Sequence, residues 1–132
     1  MKKLALILAL MIPATVARSE VTTGNQYYDQ CRNLPEADAT EIGWCVGFVV
    51  GAWEGISSGV GRALIAFSDE PIDAAALETA INLILGVCQP DGVTYGQMLD
   101  VFEKYLRENP ANRNIGARTL LVEALSEAFP CE

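Results

Sequence analysis

The chain has 132 residues, with 9 basic and 17 acidic side chains, a net charge of −8 and no histidine. This length predicts a single domain, and the acidic balance excludes a nucleic-acid-binding protein, which needs clustered Lys and Arg. Without histidine the chain can form neither a Ser-His-Asp triad nor an imidazole metal site, so we predict no metal and no cofactor.

The first 17 residues predict a secretory signal peptide. Two lysines precede an apolar run over residues 4–12, and small residues lead to a cleavage point after Ala17. Nine apolar residues are too few to span a bilayer, which needs about 20. We therefore expect one mature domain of residues 18–132 in the periplasm, with a net charge of −10.

Four cysteines remain in the expected mature chain. An even number in an oxidising compartment predicts two disulfides, and no pair has the Cys-x-x-Cys spacing that structural zinc prefers. The sequence permits three pairings. Our prediction is the local pairing, which would close loops of 15 and 44 residues by joining Cys31 to Cys45 and Cys88 to Cys131.

Apolar residues recur at helical spacing in the mature chain, which predicts an all-α bundle of four to five helices. Thr23 and Gln26 form a capping box for a short helix that reaches Cys31. Residues 34–40 predict a loop. A long apolar stretch follows over residues 42–67, with a bend or a break expected at Ser57-Ser58-Gly59.

Three further helical segments complete the predicted bundle. One covers residues 72–85, with Pro71 in its first turn and Gly86 as its cap. Another begins at Thr94 and stops at Asn109-Pro110, and the last covers residues 115–128. In the segment that begins at Thr94, the predicted buried face is Met98, Val101, Phe102, Tyr105 and Leu106. In the last segment it is Ala117, Leu120, Leu121, Ala124 and Leu125.

Five glycines recur every fourth residue within the long apolar stretch, and on a helix they form one ridge. They are Gly43, Gly47, Gly51, Gly55 and Gly59. Each costs about 1 kcal/mol relative to alanine inside a helix. We therefore expect another backbone to pack on this glycine ridge, from the same chain or from a second copy, and the helix to be buried on most sides.

The ridge also admits an alternative, a glycine-zipper membrane helix. Glu54 would raise the free energy of membrane insertion by about 2.5–3.5 kcal/mol. The nine Ile, Leu, Val and Phe residues of the stretch would lower it by a similar amount. A span would also place Cys45 in lipid, away from the other cysteines. We favour a helix outside the membrane, on which Glu54 and Arg62 form a bridge through Ser58 or line a polar groove.

Five short segments together resemble one known family. They are Thr23-Gly24-Asn25 followed by Cys31, the Cys-x-Gly-aromatic-x-x-Gly pattern of residues 45–51, the Cys-x-Pro-x-x-Val-Thr turn of residues 88–94 with Gln97, Tyr105-Leu106 with Asn109-Pro110, and Ala124-Leu125 with Phe129-Pro130-Cys131. In this order they resemble the Tai-type (Rap/Tai) immunity proteins of type VI secretion. The stretch from residue 57 to 87 is longer than in typical members.

The resemblance implies a small exported all-α protein, often a homodimer, that binds a peptidoglycan amidase effector in the periplasm and blocks its active site. Two loops are candidate contact segments: Phe67, Ser68, Asp69 and Glu70, where an aromatic side chain lies beside acidic ones, and a second loop with Asn112 and Arg113. The alternative is a periplasmic scaffold or envelope-stress protein with no toxin partner. We do not expect an enzyme, because the carboxylates form no catalytic motif.

Overall fold

The computed structural model describes residues 21–131, and the expected signal peptide lies outside the described residues. The described chain confirms the all-α prediction. Its five α-helices are α1 (Gly24–Cys31), α2 (Ala39–Phe67), α3 (Ala74–Leu85), α4 (Tyr95–Glu108) and α5 (Ala117–Ala128), with short 3₁₀ turns at Leu34–Glu36 and Pro110–Asn112.

Helix α2 is one uninterrupted helix of 29 residues, about 43 Å long. It begins at Ala39, earlier than the apolar pattern indicates, because the Asp38 carboxylate accepts hydrogen bonds from two backbone N–H groups of the first turn. Residues 57–59 lie inside this helix, so a break at Ser57-Ser58-Gly59 is wrong, and a bend there stays a prediction.

The expectation that α2 is buried on most sides is also wrong. Only Cys45, Val49 and Gly61 are buried along its length, and Phe67 at its end is 89% exposed. The reason is that α1, α4 and α5 pack against only part of α2, and α3 is too short to cover the remainder.

Helix α3 returns along the C-terminal half of α2. It begins at Ala74, not at the predicted residue 72, because the Asp73 side chain accepts a hydrogen bond from the backbone N–H of Ala76 at 2.9 Å. Gly86 ends the helix with φ 67°, which confirms the predicted cap. Helix α3 packs mainly against α2 and has no fully buried residue, so these two helices form a hairpin at the side of the bundle.

The core lies between α1, α2, α4 and α5. The predicted inner face of α5 is buried as expected, and α4 buries Met98, Phe102 and Leu106, together with Leu99, which the sequence analysis did not include. Tyr27 of α1 lies in the centre, with its ring centroid 4.8 Å from that of Phe102. Its hydroxyl donates to the Cys45 carbonyl at 3.2 Å, and burial raises the pKa of Tyr27 above its usual value.

Two disulfides tie this bundle together, and they confirm the predicted local pairing. Cys31–Cys45 joins α1 to α2 with a Cα–Cα distance of 5.9 Å. Cys88–Cys131 joins the segment after α3 to the segment after α5, with a Cα–Cα distance of 4.9 Å. The Cys88 backbone N–H also donates to the Phe129 carbonyl at 2.8 Å. A disulfide and a hydrogen bond therefore both hold the segment after α3 to the segment after α5.

Candidate partner-binding surfaces

The first predicted contact segment, residues 67–70, forms the hairpin tip between α2 and α3. The four residues lie together there, and all are exposed. The Ser68 hydroxyl donates to the Glu70 carbonyl at 2.7 Å and accepts from the Glu70 N–H at 3.3 Å. Neither Asp69 nor Glu70 forms a salt bridge within residues 21–131. The tip therefore presents an aromatic ring and two carboxylates on an internally bonded turn, and its contact with a partner stays a prediction.

An apolar cleft of about 480 Å³ lies beside the hairpin tip. Nearly all of its lining is hydrophobic: Val60, Ala63, Leu64, Phe67, Ile72 and Ile84, with Ser68 at the edge. Ile65, Leu83 and Ile84 on the same hairpin are each more than half exposed. Exposed apolar patches are found at protein interfaces, membrane contacts and ligand grooves, so contact of this cleft with a partner stays a prediction.

The second predicted contact segment contains Asn112 and Arg113 and lies beside α1 and α4, not on the hairpin. Arg113 Nε donates to the Leu106 carbonyl at 2.6 Å, and its guanidinium carbon lies 3.6 Å from the ring centroid of Tyr28. Arg113 therefore joins the end of α4 to α1 through a hydrogen bond and a cation–π contact. A contact of Asn112 or Arg113 with a partner stays a prediction.

The glycine ridge is open to solvent. All five glycines are exposed, and a Cβ placed on any of them meets nothing within 4 Å. The expectation that a helix of the same chain packs on the ridge is therefore wrong for the described residues. Within α2, the glycine that does meet a neighbour is Gly61, outside the ridge, where a Cβ would lie 3.0 Å from Ile81 Cδ1 of α3. Packing of the ridge against a second copy stays a prediction.

We expect Gly51→Leu to abolish self-association without unfolding the protomer. The space around Gly51 is empty in the protomer, so leucine causes no clash and improves helix propensity by up to about 1 kcal/mol. Between two helices that pack on their glycines, the same side chain would hold the backbones apart. Light scattering gives the mass in solution and urea unfolding gives the stability, with Gln30→Leu on exposed α1 as the control. A wild-type protein with the mass of a monomer contradicts the prediction.

The predicted bridge between Glu54 and Arg62 is wrong, since these two described residues form no salt bridge. The Glu54 carboxylate instead accepts a hydrogen bond from the hydroxyl of Tyr95 in the first turn of α4. This hydrogen bond raises the pKa of Tyr95. The contact joins residues 41 positions apart, so spacing along one helix could not indicate it.

Within residues 21–131, no group of three or more His, Cys, Asp or Glu side chains is arranged to hold a metal ion. None of the helices in this same part of the chain combines the length and the apolar character that crossing a bilayer requires.

Comparison with known protein families matches residues 23–131 to the family described as Rap1a immunity proteins. No curated protein and no solved structure matches the chain. The matched region extends from the cap of α1 to the last cysteine, so it covers all five helices and both disulfides. It agrees with the resemblance that the five sequence motifs carry.

Proposed function

Because the chain belongs to the Rap1a immunity protein family, we propose that it binds and inhibits a toxin effector of type VI secretion in the periplasm. The effector would be a peptidoglycan amidase, and the protein would protect its own cell by covering the active site of that enzyme. In this role the protein is a binding partner without catalytic activity of its own.

The observation that carries the proposal is the exposed side chain of Phe67 at the hairpin tip. An aromatic side chain that enters a pocket of the partner typically supplies a large share of the binding energy. Two hydrogen bonds between Ser68 and Glu70 restrain the turn that follows it, which would reduce the entropy lost on binding. These features suit a projection that enters an active-site groove.

Charge and compartment support the same proposal. The net charge of −8 would speed the encounter with a basic effector, and Asp69 and Glu70 place carboxylates beside the aromatic ring. All four cysteines are in disulfides, which fits an oxidising compartment such as the periplasm.

The test is co-purification from periplasmic extract with the product of an amidase gene encoded next to this one. We expect a stable complex and loss of peptidoglycan cleavage when the two purified proteins are mixed. If the protein retains no cell-wall hydrolase and inhibits none, the proposal fails and the scaffold alternative is favoured.

Phe67→Ala is expected to weaken binding of the captured amidase at least 30-fold, because truncation of a central aromatic residue typically costs about 2 kcal/mol or more. The free energy of unfolding should change by less than about 0.5 kcal/mol, since the side chain contributes almost nothing to the core. Calorimetric titration measures the affinity. The control is Ile42→Ala, an exposed position near the opposite end of α2, which should leave the affinity unchanged. Equal losses in the two variants would contradict a role for the tip.

A further inference from the structure

One apolar stripe runs along α2 and is covered for only part of its length. Its members are Cys45, Val49, Ile56, Val60 and Phe67, which follow one another at intervals of four and seven residues. On an α-helix this spacing places all five within about 60° of one another. Cys45 and Val49 are buried in the core, Ile56 and Val60 are half-buried, and Phe67 is exposed. The side of α2 that faces the core therefore continues past the bundle with its apolar residues uncovered.

The uncovered part of the stripe lies in a groove with walls from two other helices. A cleft of about 360 Å³ between α2 and α5 contains Ile56 and Arg118. The apolar cleft of about 480 Å³ at the hairpin tip contains Val60 and, from α3, Ile84. Ile56 and Val60 are about one helical turn apart, so the two clefts are consecutive along α2. We call them together the α2 groove, which extends about 16 Å from Ile56 to Phe67.

The shape of the α2 groove fits a helix. Helices of the same chain already cover the first part of the stripe, where Cys45 and Val49 belong to the core. Ala63 lines the groove, and Gly59 lies one turn before it with nothing within 4 Å of its Cβ position, so another helix backbone can approach closely. An extended segment would need the edge of a sheet, and residues 21–131 contain no strand beyond one isolated β-bridge.

The two ends of the α2 groove carry opposite charges. Asp69 and Glu70 lie beside it at the hairpin tip, and Arg118 lines its other end. None of these three forms a salt bridge with a residue that the structure describes. Glu123, which lines the same end as Arg118, already accepts a hydrogen bond from the Tyr105 hydroxyl at 3.0 Å. A complementary helix therefore carries a basic side chain at one end of its apolar face and an acidic one at the other.

We propose that the α2 groove receives an amphipathic helix of the effector. The apolar face of that helix covers Ile56 and Val60, and its charged ends pair with Arg118 and with the two carboxylates of the hairpin tip. The inference rests on the proposed function in that the partner is the effector, and it adds a helical contact to the insertion of the tip.

A second copy of this chain fits the groove less well than the effector does. In the groove it would cover Phe67, which the tip presents to the effector. The packing of a second copy that we expect at Gly51 lies elsewhere, because Gly51 and Val60 are nine residues apart and so point to opposite sides of α2. Self-association at Gly51 therefore leaves the groove open.

Ile84 tests the groove apart from the tip, because Phe67 belongs to both surfaces. Ile84→Ser should weaken binding of the captured effector at least fivefold in calorimetric titration, since it removes an apolar wall of the groove. The control is Ile65→Ser. Ile65 lies outside the groove on the same hairpin and is 57% exposed, against 58% for Ile84, so its replacement should leave the affinity within twofold of wild type.

Arg118→Glu should also weaken effector binding at least fivefold, because it repels the acidic end of the bound helix. The matched control is Arg62→Glu, which changes the net charge by the same amount at an exposed position of α2 outside both clefts. It should leave binding within twofold of wild type. Equal weakening by the two variants would mean that the effector senses only net charge, and the proposal would be overturned.

A synthetic helical peptide tests the groove without the effector. The peptide carries leucines along one face, glutamates at its N-terminal end and lysines at its C-terminal end, charges that also stabilise its own helix. Titrated into the ¹⁵N-labelled protein, it should shift the amide resonances of Ile56, Val60 and Ile84 in a saturable manner, and Ile84→Ser should weaken its binding at least fivefold. A control peptide of the same composition, with its leucines distributed around the helix, should not bind.

Three further results would overturn the proposal. The first is equal binding of the two peptides, and the second is equal weakening of effector binding by Ile84→Ser and Ile65→Ser. The third is a wild-type dimer in light scattering that Ile84→Ser dissociates, because the groove would then hold a second copy.

The captured effector separates failure of this inference from failure of the proposed function. An effector that binds wild type and Ile84→Ser with equal affinity, yet loses affinity for Phe67→Ala, refutes the groove contact and leaves the proposed function intact. Absence of any captured effector, with the leucine-faced peptide bound as expected, refutes the proposed function and leaves the groove as a helix-binding site.

Discussion

Replacing both Cys88 and Cys131 by alanine is expected to lower the free energy of unfolding by about 4 kcal/mol. The two residues are 43 positions apart, and a disulfide across such a loop restricts the unfolded chain by about that free energy. Small domains are stable by only about 5–15 kcal/mol, so the variant would lose a large share of its stability. The loop of residues 89–93 would lose its anchor at the same time.

Urea denaturation followed by tryptophan fluorescence measures this effect, with Cys31→Ala/Cys45→Ala as the comparison. The shorter loop of that disulfide, whose cysteines are 14 positions apart, predicts about 3 kcal/mol from chain entropy. Removal of two buried sulfur atoms from the core adds to that value. A loss of less than about 1 kcal/mol for the Cys88 and Cys131 variant would contradict a stabilising role for this disulfide.

Phe102→Ala is expected to lower the free energy of unfolding by about 3–5 kcal/mol, the usual cost of removing a phenylalanine from a packed core. The side chain is fully buried. It packs against Tyr27, whose ring is also 5.0 Å, between centroids, from that of Phe48. The cavity would therefore open where α1, α2 and α4 meet, and little of it could collapse because the disulfide between Cys31 and Cys45 restricts α1.

Phe67→Ala serves as the matched control, because it removes the same atoms from a side chain that is 89% exposed. Thermal unfolding followed by circular dichroism should show a large loss for Phe102→Ala and almost none for Phe67→Ala. Similar losses in the two variants would mean that the aromatic cluster around Tyr27 does not form the core.

Several parts of the fold could be predicted from the sequence because they depend on neighbouring residues. The capping box of Thr23 and Gln26 and the glycine cap at Gly86 are local backbone chemistry, and both are present. The inner face of α5 follows from helical periodicity. The number of disulfides follows from the even number of cysteines, whereas the sequence permitted three pairings and the structure selects the local one.

The surfaces could not be predicted in the same way. Periodicity shows that five glycines share one side of α2, but only the positions of the other helices decide whether that side is covered, and the described chain leaves it open. The glycines in close contact are instead Gly61 and Gly24, where a Cβ would lie 2.5 Å from Leu120 Cδ1. The same reasoning missed the partners of Glu54 and Arg113, because each of these side chains meets a helix distant in sequence.

The amino-acid sequence by itself determined the helical fold class, local caps such as those at Thr23 and Gly86, and the number of disulfides, since these depend on backbone hydrogen bonding, side-chain spacing and the cysteine count. Only the tertiary structure decided which faces remain exposed and which side chains meet across helices. It brought Val60, Leu64, Ile72 and Ile84 to one cleft, because the path of the chain between α2 and α3 depends on packing and on the disulfide at Cys88, not on local sequence.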